Sequence, residues 1–218
     1  MRLISAVSLV RVQSPPPGSG LLTFPNLALF SLQIQALIMP TRSFSHQEMV
    51  TLAEALRIAE DVTSDYYKFS SGQWRRRPYD VKTKVEWGGL SCGDPVFAVL
   101  NKGVQRDEIL WPRAKARDYY FILLEDDKIL SAVARDDKVG LLPLMLYVFT
   151  HELIHIVRFS SFIQRYDVTA ELREEEERRV HQITYDVLRK IPMKSLGYVL
   201  DSYEDHRMCK WGSNNMVN

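Results

Sequence analysis

The chain has 218 residues and a mass of 25.3 kDa, enough for one domain with a core of its own. Charged residues make up 25% and apolar residues 46%, which argues against a disordered or coiled-coil protein. A formal net charge of +1 gives no electrostatic basis for binding nucleic acid or a membrane surface, and the two cysteines, Cys92 and Cys209, form neither a disulfide framework nor a Cys-rich metal site.

Residues 1–38 differ from the rest. Before Pro40 the only charges are Arg2 and Arg11, and Ser14-Pro15-Pro16-Pro17-Gly18-Ser19-Gly20 interrupts the apolar character. Arg11 and Gln13 come too early for a secretory signal, and Pro25, Asn26, Gln33 and Gln35 break up Leu21 to Met39 as a membrane span. Leu9 to Pro15 back-translates to a string that reads as a tRNA T-arm. The expectation is therefore a non-native or disordered extension over 1–38, with the native start at Met39 or Met49, and a single domain over 39–218.

That domain reads as α+β. Ser45-His46-Gln47-Glu48 has capping-box spacing, and Met49, Leu52, Ala53, Leu56, Ala59 and Val62 recur at helical intervals, which predicts a helix over about 45–68. Ser70-Ser71-Gly72 is expected to end it, with Trp74 to Pro78 as a solvated basic loop. From Val81 to Trp87 the apolar period is two, which predicts a strand. Further strands are expected over Val96 to Leu100, Tyr119 to Leu124 and Ile129 to Val133, with Glu125 to Lys128 as a hairpin turn between the last two. The sheet should be small and mainly antiparallel. Gly88-Gly89 and Gly93-Asp94-Pro95 read as turns, Trp111-Pro112-Arg113 as a loop anchor, and Leu196 to Cys209 as a packed helical tail.

The most specific signal follows. Pro143 suits the first turn of a helix, and Leu144 to Phe159 is apolar on most sides. Within it stands His151-Glu152-Leu153-Ile154-His155, an HExxH motif. Residues i and i+4 share one helix face, so both imidazoles can bind one ion. Glu152 sits one residue round, within reach of a metal-activated water as general base. With five histidines in the chain, roughly 0.007 such motifs are expected by chance. A pair of core histidines satisfied by carbonyls is the plainer alternative, but buried ionisable groups cost several kcal/mol unless paired, hydrogen-bonded or metal-bound.

A catalytic zinc needs a third ligand and one open position. Thr169 to Lys190 reads as a helix with the stripe Val180, Ile183, Val187 and Leu188. Glu174 and Glu175 point away from that stripe; Glu176 and Glu177 flank it, about 40° to one side and 60° to the other. The residues alone leave the two open.

The pattern of HExxH followed by a helix with a ligand glutamate resembles the gluzincin metallopeptidases. Glu177-Arg178-Arg179-Val180-His181 looks like their second motif, with Val180 for the small residue and His181 for the usual Asp or Asn. The short gap after His155 and the small upstream sheet resemble the ImmA/IrrE-like minigluzincins over roughly residues 119–190. The resemblance implies Zn²⁺ held by His151, His155 and Glu177, Glu152 as general base, and a peptide or protein substrate hydrolysed by a metal-activated water. His181, Tyr185, Tyr203 and His206 are candidate donors to the oxyanion, and a sheet edge is a candidate seat for an extended peptide. The alternative is a catalytically silent zinc-binding regulatory protein of the same fold, although a structural zinc has no need of Glu152. A di-iron carboxylate protein needs two Glu-x-x-His motifs; Glu152 to His155 supplies one, and Arg178 spoils a second at His181. The expected location is cytoplasmic.

Overall fold

The computed structural model describes residues 42–88, 96–105 and 117–202. The expectations for residues 1–38, for Gly93-Asp94-Pro95, for Trp111-Pro112-Arg113, and for Tyr203, His206 and Cys209 lie outside the described residues.

Helix α1, His46–Tyr67, begins with the expected capping box: the Glu48 N–H donates to Ser45 Oγ at 3.3 Å and the Ser45 N–H donates to Glu48 Oε2 at 2.7 Å. It buries Leu52, Ala55, Ala59 and Thr63, and leaves Met49 and Ala53 exposed. The inward stripe is thus rotated from the predicted one toward small side chains, which let α1 lie close against the central helix. It ends at Lys68, in the left-handed conformation at φ 57°, before the serines expected to stop it. The basic segment beyond is not a loop, although Arg75 and Arg76 are exposed as expected. It winds into a 3₁₀ helix over Ser71–Arg76, with Trp74 Nε1 donating to Ser64 Oγ at 3.0 Å and the Arg77 guanidinium 4.9 Å above the Phe69 ring. Trp74 buries its indole, and that anchors the chain.

Strand β1, Tyr79–Lys82, is shorter than the alternation suggested, and Lys84–Trp87 forms a helical turn, α2. The reason is Thr83-x-x-Glu86: Glu86 Oε2 accepts from the Thr83 N–H at 2.7 Å and from Thr83 Oγ1 at 3.0 Å, so a second capping device overrides the strand pattern. Gly88, at φ 61°, closes α2. Strands β2, Ala98–Gln105, and β3, Arg117–Leu124, pair antiparallel with Val99 opposite Leu123, while β1 joins β3 parallel with Tyr79 opposite Tyr120. The order is β1-β3-β2, so the sheet is mixed rather than mainly antiparallel.

The expected hairpin and fourth strand are replaced by helix α3, Asp126–Arg135. Asp126 and Asp127 stand in its first turn and Arg135 in its last, charges that complement a helix dipole. Asp126 Oδ1 accepts from the Lys84 N–H at 2.9 Å, and Lys84 Nζ donates to Glu125 Oε2 at 2.6 Å. These buried contacts tie α2 to α3. Burial raises the Asp126 carboxyl above its ordinary range despite the backbone donors.

Helix α4, Leu141–Ser160, is the core element. Every residue from Pro143 to Phe159 is buried, because α1 and α5 pack along it, with α3, α6 and strands β2 and β3 also in contact. It is the one helix among the described residues long and apolar enough to cross a membrane, and 89% of its apolar window is buried inside the fold. Its hydropathy therefore serves the core. Helices α5, Ala170–Leu188, and α6, Leu196–Ser202, complete the chain as described. The whole is a mixed α/β fold with six helices and a three-stranded sheet among the described residues. Leu146 is fully buried in the α4 core, so Leu146→Ala should lower unfolding free energy by about 2–5 kcal/mol in urea titration. A loss under about 1 kcal/mol would contradict this packing.

Candidate metal centre

The apolar sequence of α4 forces two histidines and a glutamate into the interior. His151 and His155 lie one turn apart on the face toward α5, with Nε2 atoms 3.1 Å from one another. Helix α5 runs antiparallel to α4. Arg158 meets Glu176, His155 and His151 meet Glu177, and Tyr147 meets His181.

Glu177 closes the group. Its Oε2 lies 3.3 Å from His151 Nε2 and its Oε1 lies 3.4 Å from His155 Nε2. Three donors on one tetrahedral zinc, at roughly 2.0–2.1 Å from the ion, stand roughly 3.3 Å apart. The two imidazole nitrogens stand 3.1 Å apart, and each is 3.3–3.4 Å from a different oxygen of Glu177, spacings of that order. Both Glu177 carboxylate oxygens are out of solvent, and no hydrogen-bond partner satisfies them among the described residues. Orphaned buried acceptors of this kind are rare in folded proteins, and a cation would satisfy them. The donor set, two imidazoles and a carboxylate, suits zinc.

The electrostatics agree. Burial by itself would raise the Glu177 carboxyl, but the neighbouring His155 and His151 outweigh it and hold the carboxyl far below the usual carboxylate range. Burial likewise disfavours the charged His155 imidazole, and Glu177 overcomes this and raises it. Glu177 and His155 thus favour each other's charged forms.

Geometry separates the two glutamates. Glu176 does not face the histidines: its two oxygens accept from Arg158 Nε at 2.5 Å and Arg158 Nη2 at 2.7 Å, a bidentate pair sealed between the helices. Arg158 sits one turn beyond His155 in an otherwise greasy helix, a signal in the sequence that an acid must meet it from the neighbouring element.

His181 is nearer than its expected supporting role suggested. It is buried one turn beyond Glu177, and one of its ring nitrogens lies within 4.8 Å of ligand atoms of His151 and Glu177, so these three could also hold an ion. Its Nδ1 is hydrogen-bonded to the Tyr147 hydroxyl at 2.8 Å. Tyr147 stands four residues before His151, on the same face, and carried no functional expectation. Neither His151 Nδ1 nor His155 Nδ1 has a hydrogen-bond partner among the described residues, a departure from the usual supported zinc histidine. Tyr185, another oxyanion candidate, has the Arg189 guanidinium 5.8 Å from its ring centroid.

Glu152 is 3% exposed on α4. Its charge contributes to raising His155 and, after the larger effect of burial, Tyr166. Tyr166 in turn donates from its hydroxyl to the Leu100 carbonyl at 3.0 Å. Because the Phe97 carbonyl bonds the Glu125 N–H, alternate residues of β2 face β3 and Leu100 faces outward. Tyr166 therefore occupies part of the outer edge of β2, one of the two edges of the sheet.

No family model matches the chain, and neither a curated protein nor a solved structure matches it.

Proposed function

We propose that this protein is a zinc-dependent metallopeptidase of the gluzincin type, resembling the ImmA/IrrE-like minigluzincins. The observation that carries the reading is the convergence of His151, His155 and Glu177, with each imidazole nitrogen 3.3–3.4 Å from one of the two carboxylate oxygens and neither oxygen hydrogen-bonded among the described residues. In such a site zinc lowers the pKa of water to about 7 and polarises the scissile carbonyl.

The chain's own residues supply the rest. His151 and His155 present imidazole nitrogens from one helix face, and Glu177 presents its carboxylate from the other helix. Glu152 accepts the proton of the attacking water at its carboxylate and passes it to the leaving amine. Its burial beside the motif keeps that carboxylate out of bulk water. The substrate is a peptide or protein, and the location proposed with it is the cytoplasm, which suits a chain with two cysteines. Neither nucleic acid nor a membrane surface is a proposed partner.

The test is Glu152→Gln. The variant should bind zinc as the wild type does and lose cleavage by about 10²- to 10⁴-fold, read as new peptide termini after incubation with a denatured protein digest. Equal cleavage by both proteins would remove Glu152 from the reaction. Zinc binding by both with cleavage by neither would favour a catalytically silent regulatory protein.

A further inference from the structure

One buried donor has no part in the three-ligand site. His181 is 3% exposed. Its ring centroid is 4.4 Å from that of His151, closer than the 4.8 Å between His151 and His155. Its Nδ1 is already engaged with the hydroxyl of Tyr147, itself buried on α4. In the tautomer that donates from Nδ1 to the Tyr147 oxygen, the lone pair sits on Nε2. That is how a metal-ligating histidine is prepared: one nitrogen for the ion, the other held by a fixed oxygen. Of the three buried histidines, His181 has this support, while the Nδ1 atoms of His151 and His155 lack it among the described residues.

We propose that His181 is a fourth protein donor to the ion held by His151, His155 and Glu177. The proposal rests on the metal-centre reading above and extends it. One ring nitrogen of His181 lies within 4.8 Å of donor atoms of His151 and Glu177, against roughly 3.3 Å for atoms sharing a tetrahedral zinc, so a side-chain adjustment of at most about 1.5 Å separates it from those two donors. Four side-chain donors make a closed site, whereas hydrolysis needs an open position. The resting centre is therefore latent. His181 has to leave the ion before a substrate water can enter. The only bond broken is the one at its Nε2, and nothing is oxidised or reduced. The Tyr147 hydroxyl holds the ring by its Nδ1 beside the centre. The position that in the gluzincin pattern carries Asp or Asn becomes a gate on the centre.

The experiment loads the full chain with zinc and counts coordinated imidazoles by X-ray absorption, then repeats the loading with Co²⁺ and records the visible spectrum of wild type and His181→Asn. Three imidazoles in the wild type, and a changed Co²⁺ spectrum with at least about tenfold weaker binding in His181→Asn, is the expected result. Two imidazoles, or an unchanged Co²⁺ spectrum in the variant, would overturn the fourth donor and leave the three-ligand site standing. No bound metal in the wild type would overturn both. The wild-type imidazole count decides the matter even if the variant does not fold.

Discussion

Arg158→Ala is expected to cost about 3–5 kcal/mol of unfolding free energy. The side chain is 8% exposed and Glu176 is 6% exposed, so neither charge can fall back on solvent when its partner is removed. The guanidinium binds both carboxylate oxygens in a fork, at 2.5 and 2.7 Å, and this contact with Glu176 is the main reason the guanidinium is raised further in basicity. Deleting it strands a carboxylate between α4 and α5. The same logic gives a large loss for Glu176→Ala. Replacing both, as Arg158→Met with Glu176→Leu, should return most of the stability, because the penalty lies in the unpaired charge. Urea titration of the three variants checks this. A single variant that loses under about 1 kcal/mol, or a double variant as unstable as the singles, would contradict a sealed pair.

The second large effect concerns Glu177. In wild type, zinc at a thousandfold excess over its Kd should stabilise the fold by about 4 kcal/mol, or roughly 8–16 °C in melting temperature for a domain of this size. Glu177→Gln keeps the volume and removes the anionic ligand. A hundredfold weaker site would be stabilised by only about 1.4 kcal/mol at the same zinc concentration. Glu176→Gln provides the contrast: it should lower the melting temperature of the metal-free protein and leave the zinc increment intact, because Glu176 belongs to Arg158. The two glutamates are adjacent in sequence, so opposite behaviour from neighbours on one helix separates ligand from scaffold. An equal zinc increment in Glu177→Gln and wild type would place the third ligand elsewhere.

The helix that carries the candidate site was legible because its signals are local. HExxH fixes two donors by helical period alone, and the apolar run around it announces a buried helix. The facing of the two glutamates was not legible locally: the residues placed both Glu176 and Glu177 beside the stripe, and only the packed helices show Glu177 toward the histidines and Glu176 toward Arg158. The misreadings upstream share a cause. Val81 to Trp87 alternates as a strand does, but Thr83-x-x-Glu86 caps a helical turn, the same device read correctly at Ser45. Ile129 to Val133 looked like a strand after a hairpin, although Asp126 and Asp127 are first-turn helix residues and Ile129, Leu130 and Ala132 share one buried side. In both segments a capping or dipole signal competed with apolar period and won. The parallel pairing of β1 with β3 follows from long-range packing and leaves no local trace. His181 and Tyr147 were readable by spacing, each four residues from a ligand candidate, but only the packing of α5 on α4 brings them together.

Metal content of the full chain, purified without chelator or histidine tag, tests the central claim most directly. One zinc per chain, measured by elemental mass spectrometry and lost in His151→Ala and in Glu177→Ala, is the predicted result. A wild-type protein that holds no metal even after zinc is supplied would contradict it, and would leave His151, His155 and Glu177 as a buried ionic group inside a structural helix pair.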